Sequence, residues 1–451
     1  MRKDSHVLDQ VVAEKFPYSF FACLEFSWIE SPTNITALGT TSLMRLYSYL
    51  LQGFLGSASS NFDILENLKV YEEIYLRSGL DLTREERKAH EERFSKARQS
   101  EESVVAPGIL FRLTSPALQS SIVDKVNNIS GATWKASTDV ERFKDQPLSF
   151  AIRQCGSILR SERKAALQMI SHEGEEEIPK FFDSRKDFGP ECSTLIGTAQ
   201  DQSNCGSCWA FSTTTALEDR VCLASKGKDR IRLAPLDTLS CCNTDSGCSS
   251  FGCNGGDPAS AFSWFVHEGV VTGADYGDET TCKPYPFPKC AHHVDSPDYG
   301  PCSSGSEFET PQCLHKCSNP KYSTGYLKDK HKSVSAYQVS PDEKSIKLEI
   351  MKHGPVSAAF EVYEDFLAYT GGIYHHVTGQ GVGGHAVKLI GWGEENGVKY
   401  WLLMNSWNPS WGENGAFRMR INECGILDEI TAGRVKEESS YEDSIAEIEI
   451  A

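Results

Sequence analysis

Residues 202–211 read Gln202-Ser203-Asn204-Cys205-Gly206-Ser207-Cys208-Trp209-Ala210-Phe211, and this stretch decides how the rest of the chain is read. Ser207 is a favourable N-cap, which places Cys208 in the first turn of a predicted helix over 207–224. The unsatisfied N–H groups of that turn carry positive partial charge and favour a thiolate over a thiol. A thiolate can attack an amide carbonyl. One helix end does not suffice to keep it ionised, so an imidazolium is expected beside it. Gln202, just upstream, offers a side-chain amide that can donate to a developing oxyanion together with the Cys208 backbone N–H.

The matching base is His385, in Gly383-Gly384-His385-Ala386-Val387, at the start of a β-like run. Asn405-Ser406-Trp407 follows a predicted strand over 400–404. The Asn405 side chain can accept the second imidazole N–H and fix the ring. Trp407 can shield that bond from water. Taken singly, each residue has a plainer reading: Cys208 as half of a disulfide, His385 as a strand-end histidine, Trp209 and Trp407 as core. Their order Cys, His, Asn, with Gln202 ahead of the cysteine, singles them out.

The whole chain has 451 residues, more than one ordinary domain needs. Hydrophobic content of 39% and charged content of 24% suit a globular protein. A net charge of -17 argues against nucleic acid, which needs clustered Lys and Arg. Part of that acidity is a run over 437–449, which reads as a solvated tail. Fourteen of the 16 cysteines lie between Cys192 and Cys424, a density that means disulfides in an oxidising compartment or metal sites. No run of 18 apolar residues predicts a membrane span. A secretory signal is expected at 44–60, where Arg45 precedes a short apolar stretch and Ser57-Ala58-Ser59 offers small residues for cleavage. Residues 1–43 then read as a mispredicted leader, the alternative being an unusual cytosolic one. Sequons begin at Asn34 and Asn128.

Residues 61–112 form a charged, helix-compatible extension with Thr83 and Glu86 as a possible capping box. Residues 113–177 are mixed and end in Glu175-Glu176-Glu177, a plausible processing boundary. From Ile178 Trp, Gly and Cys become frequent, and the body runs to about 435. Helices are expected over 207–224 and 258–268, and strands over 356–362, 386–391, 400–404 and 416–421. Helices first and strands later predict an α+β fold in two lobes.

The Cys-Gly-Ser-Cys-Trp core with His385 and Asn405 resembles the papain family, and cathepsin B in particular, over roughly 178–433. The resemblance implies a helical left lobe bearing Cys208 and a barrel-like right lobe bearing His385, with a cleft between. It implies a monomer that acts on protein and peptide substrates and needs no cofactor. Ile122-Val123-Asp124-Lys125-Val126-Asn127, Thr133-Trp134-Lys135 and Arg153-Gln154-Cys155-Gly156 resemble the cathepsin B propeptide, which lies backwards through the cleft until acid-driven removal. A lysosome-like acidic compartment, or secretion, is expected with it.

His385 follows Cys208 by more than the roughly 130–150 residues usual in the family, so an insertion is expected. Residues 282–317 hold five cysteines and fit it. Zinc would need Cys-x-x-Cys knuckles, and the one present, Cys205 to Cys208, is claimed by catalysis. The resemblance implies disulfides Cys192–Cys222, Cys205–Cys253, Cys241–Cys313, Cys242–Cys248, Cys282–Cys317 and Cys290–Cys302. Between the last pair, His292 and His293 resemble the occluding-loop histidines that hold a substrate's C-terminal carboxylate. Adjacent histidines on a loop tip can also be idle. The family ties that loop down through an acid at Asp201 to His292. A second tie, from a loop Arg to an acid at Ser410, has lost both ends, which predicts a looser loop with more endopeptidase character. Gly255 and Gly256 resemble the wall that bonds substrate backbone. Asp257 stands where relatives often have an aromatic. Glu429 resembles the acid at the base of the S2 pocket, its plainer reading being a solvated Glu. Ser203 replaces a glycine, so its turn is expected to be strained.

Overall fold

In a computed structural model of the chain, residues 112–159, 167–288, 290–291, 300–301 and 308–436 are described. The expected leader and signal, the capping box at Thr83, the sequon at Asn34, the Cys290–Cys302 bridge, His292 and His293, and the acidic run over 437–449 lie outside the described residues.

The strands are β1 (Trp134–Ala136), β2 (Met169–Ile170), β3 (Phe182–Asp183), β4 (Cys290–Ala291), β5 (Gly300–Pro301), β6 (Ser335–Val339), β7 (Val356–Tyr363), β8 (Tyr369–Tyr374), β9 (Gly381–Glu395), β10 (Val398–Met404), β11 (Ala416–Arg420) and β12 (Ile430–Arg434). Ten of them make one sheet in the order β1-β8-β11-β10-β9-β7-β12-β6-β2, with β3 on β9. Within it β11 with β8 and β2 with β6 run parallel. The central strand β7 is buried on both faces over most of its length, so it reads as a nearly continuous apolar run. One core fills this half, built on Phe360, Phe366, Trp401, Trp407 and Phe417.

A second core belongs to the other half. It joins Trp209 and Leu217 of the helix Cys208–Ala224 to Leu236, Phe262, Phe265 and Val271. That helix is buried along nearly its whole length although it carries Ser212, Thr213, Thr214 and Thr215. The hydroxyls are satisfied locally: Thr213 donates to the Trp209 carbonyl at 2.8 Å and Thr215 to the Phe211 carbonyl at 2.9 Å. Thr214 bonds Thr238 at 2.8 Å and Ser212 bonds Ser357 on β7 at 2.9 Å, the latter tying one half to the other. A buried helix tolerates hydroxyls when each finds a partner. Five of the six implied disulfides form as expected, Cys192–Cys222, Cys205–Cys253, Cys241–Cys313, Cys242–Cys248 and Cys282–Cys317. Cys155, Cys208 and Cys424 stand outside them.

The segment before Ile178 is built into this frame. Its β1 extends the sheet by pairing antiparallel with β8, Trp134 opposite Gly372. Trp134 packs on Tyr374, ring centroids 5.0 Å apart, and donates its indole N–H to the His375 carbonyl. The helix Leu148–Gln154 then delivers the chain to the groove between the two halves.

Candidate active site

Cys208 is the first residue of its helix and is fully buried. It packs with Ala359 on β7, Ala386 on β9 and Leu159. His385 sits on β9 immediately before Ala386, so the sulfur and the imidazole belong to a helix end and a strand that face each other. The imidazole Nε2 lies 2.8 Å from the Asn405 side-chain oxygen. Trp407 stacks on the ring at 4.5 Å and is itself fully buried. Asn405 is held in turn: its backbone N–H donates to Gly415 and its side-chain oxygen also accepts the Ser406 N–H. With Nε2 engaged, Nδ1 is the nitrogen left to exchange a proton.

Gln202 is fully buried. Ser406 donates its hydroxyl to the Gln202 side-chain oxygen at 2.7 Å, which aims the amide nitrogen the other way. That nitrogen donates to the Cys205 carbonyl at 2.9 Å and to the Gln154 carbonyl at 3.0 Å. A carbonyl of the preceding segment therefore occupies one of the two donor directions of the side-chain amide.

Beyond Gln154 the chain runs extended through the groove. The Ser157 N–H donates to the Gly384 carbonyl at 2.9 Å on one side. On the other, the Gly256 N–H donates to the Gly156 carbonyl and the Ile158 N–H to the Gly256 carbonyl, a parallel bridge. The glycines are required here. A Cβ on Gly256 would collide with the Trp209 indole, and one on Gly255, at φ +111, would come within 2.8 Å of the Gly156 carbonyl oxygen. Covered in this way, His385 has its pKa pushed down to about 4. Burial is the main cause and the Arg142 guanidinium adds to it, while Asn405 and the Gln154 backbone oppose it.

Arg142 and Gln154 were not anticipated as site residues. Arg142 is buried; it donates to Asp201 at 2.9 Å, to the Gln154 side-chain oxygen at 2.6 Å and to the Ser203 carbonyl at 2.8 Å. Asp201, expected to meet His292, thus has Arg142 as its partner among the described residues. Ser207 corrects another expectation: it occupies the N-cap position, but its hydroxyl makes no cap bond and meets Tyr285 at 3.0 Å instead. Asp257 has a structural use as the side-chain cap of the helix Pro258–His267. Glu429 is buried in the turn Ile426–Glu429, packed against β7, which excludes its reading as a solvated residue. Among the described residues no cluster of three or more His, Cys, Asp or Glu could hold a metal.

This fold and this arrangement of cysteine, histidine and asparagine across a groove define a class that comparison with known proteins identifies. The chain matches "Papain family cysteine protease" over residues 178–434 and belongs to that family. Within it the relatives are cathepsin B-like. A "Cathepsin B-like cysteine proteinase" of Schistosoma japonicum is 43% identical over 71% of this chain and 91% of its own length. "Cathepsin B-like cysteine proteinase 6" of Caenorhabditis elegans is 47% identical over 57% of this chain and 66% of its own. Among solved structures, proCathepsin B S9 from Trypanosoma congolense aligns with a TM-score of 0.61 at 31% identity, covering 71% of this chain and all of that one. The proform of the ragweed pollen protease Amb a 11, at 20% identity and a TM-score of 0.51, covers 79% of this chain and 97% of that one and shares the fold. The protein is a cathepsin B-like cysteine peptidase with a papain-like fold.

Proposed function

We propose that Cys208 is the nucleophile, His385 its acid–base partner through Nδ1, Asn405 the residue that orients the ring, and Gln202 an oxyanion donor. The observation that carries this reading is the His385–Asn405 bond under Trp407, on the strand whose next residue packs against Cys208. The Cys208 thiolate attacks the scissile carbonyl, and Gln202 with the Cys208 N–H meets the oxyanion. The imidazolium passes its proton to the leaving amine, and water then hydrolyses the thioester with His385 as base.

Residues 113–177 act in this reading as the inhibitory propeptide of a zymogen. The Gln154 carbonyl lies against Gln202, and Leu159 packs on Ala359 and Ala386. If those alanines line the S2 pocket, with Glu429 deeper in it, the segment runs from the oxyanion site toward S2. A substrate runs from S2 toward the oxyanion site, so the segment lies reversed and escapes cleavage. His292 and His293 supply carboxylate anchoring, so the mature enzyme releases C-terminal dipeptides and also cleaves internally. The disulfides support passage through the secretory route to an acidic compartment or the exterior. Cleavage of one peptide with a free C-terminus and of its amidated twin, compared from pH 4.5 to 7.5, tests the anchoring. Preference for the free acid that fades as the histidines deprotonate is expected; equal rates throughout contradict it.

A further inference from the structure

The five described disulfides differ in what surrounds their sulfurs. Cys192–Cys222, Cys205–Cys253 and Cys242–Cys248 have both cysteines buried. Cys313 and Cys317 are half-buried, so Cys241–Cys313 and Cys282–Cys317 are the bridges an outside thiol can reach.

These two differ in charge. The Cys317 sulfur lies 3.6 Å from the Thr324 carbonyl oxygen, whose partial negative charge opposes a thiolate. The Cys241 sulfur lies 3.8 Å from the Lys283 ammonium, a side chain 3% exposed. Lys283 and Lys330 share one buried carboxylate, Asp237, at 2.8 and 2.7 Å. Tyr326 donates its hydroxyl to the same carboxylate at 2.9 Å, and exposed Glu268 is the other acid acting on Lys330. Two ammonium groups on one buried carboxylate leave excess positive charge beside the Cys241 sulfur, and a thiolate there neutralises it. Cys241 closes the helix Pro235–Cys241, whose C-terminal half charge opposes a thiolate, but a whole ammonium charge outweighs it. At the other end of the bridge, the His315 ring Nε2 lies 3.8 Å from the Cys313 sulfur.

The bridge is also coupled to the groove. Thr310, three residues before Cys313, accepts the Cys253 N–H at 2.9 Å. It fills the space that Gly252 leaves, where a Cβ would collide with it. Gly252 and Cys253 lead directly into the wall at Gly255 and Gly256.

We propose that Cys313 is a modification site, attacked by small thiols of the glutathione class, and that opening of Cys241–Cys313 frees Thr310 from the wall. The thiolate of one small thiol bonds to the Cys313 sulfur, the S–S bond breaks, and its electron pair leaves on Cys241 beside Lys283. A second thiol attacks the mixed disulfide, releases the small disulfide and returns Cys313 as a thiolate. Two small thiols lose two electrons, the bridge gains them, and the two protons pass to the protein sulfurs or the buffer.

The test uses full-length precursor carrying Cys208→Ser, with its free thiols blocked, held folded in glutathione at pH 7.5. Newly opened cysteines are alkylated and located by mass spectrometry. Cys241 and Cys313 should open before the other four described bridges, about tenfold faster than Cys282 and Cys317. K283Q should slow that opening about three- to tenfold, and H315A, on the surface, about twofold. Loss of a buried ion-pair partner weakens the fold and would speed opening, so a slower rate in K283Q is not an effect of unfolding. In the opened, alkylated protein, amide hydrogen exchange at Cys253 should rise about two- to tenfold, the worth of its bond to Thr310. First opening at Cys241–Cys313, slowed in either variant and followed by faster exchange at Cys253, supports the proposal. Equal or earlier opening of Cys282–Cys317, the wild-type rate in both variants, or unchanged exchange at Cys253 overturns it.

Discussion

Replacing Arg142 by Ala should open the precursor, and the size of the effect can be worked from the buried pair. Arg142 and Asp201 are 2.9 Å apart with side chains 1% and 0% exposed. Removing one partner of a buried pair leaves the other charge uncompensated, at a cost of about 3–5 kcal/mol. That cost falls on the covered state, because Asp201 regains water once the segment leaves the groove. With about 1.4 kcal/mol per factor of ten, the opening equilibrium rises by roughly 10²–10³·⁵. The assay is the labelling rate of Cys208 in intact precursor by an active-site-directed epoxide at neutral pH, where the covered fraction sets the rate. R142A should label faster by about that factor. Adding Asp201→Asn to R142A should recover part of the loss, since no bare carboxylate remains. Wild-type labelling in R142A would refute the claim that this pair holds the segment down.

Asn405→Ala should lower kcat/KM of the activated enzyme by about 10- to 100-fold, as loss of an orienting partner does, with thiol labelling retained at a reduced rate. Glu429→Ala should lower turnover of Arg-P2 substrates by about tenfold or more and leave Phe-P2 substrates unchanged; unaltered Arg/Phe preference removes the S2 role. Burial raises the pKa of Glu218 to about 7. An acid whose folded pKa lies above its unfolded one is stabilising when protonated, and that contribution fades as pH rises from about 4.5 to about 7. The penalty that Glu218→Gln removes is then a few kcal/mol at pH 7.5 and vanishes at pH 4. Melting of a Cys208→Ser precursor with and without E218Q measures it; a pH-independent difference contradicts the assignment. Burial pushes His385 and His353 down to about 4, so their own effect runs the opposite way, which is why the difference between the variants is the quantity to read.

Cys208, His385, Asn405 and Gln202 were legible because each sits in a short motif whose local geometry is fixed by a helix start, a strand or the turn beside one. The same holds for β7, β10 and β11, found to within a few residues; β9 extends beyond its expected bounds to Gly381–Glu395, and β8 and β12 were not anticipated. What escaped depends on distant partners. Arg142 gives no local sign of its role, since Asp201 and Ser203 reach it through the fold. Ser207 has the residue type of a cap, yet Tyr285, far along the chain, takes its hydroxyl. The burial of nearly the whole helix Cys208–Ala224 was not legible from its Ser and Thr content, because it depends on those hydroxyls bonding within the protein. The left-handed Ser203 was foreseeable from a serine standing at a glycine position; its bond to Pro288 was not.

The most direct measurement is peptide hydrolysis by the activated enzyme carrying Cys208→Ser, beside wild type titrated with one equivalent of epoxide per active site. A thiolate made by His385 across the groove predicts that the variant is inert and that activity falls in proportion to labelling at Cys208 alone. Hydrolysis that survives the loss of that sulfur would contradict the account.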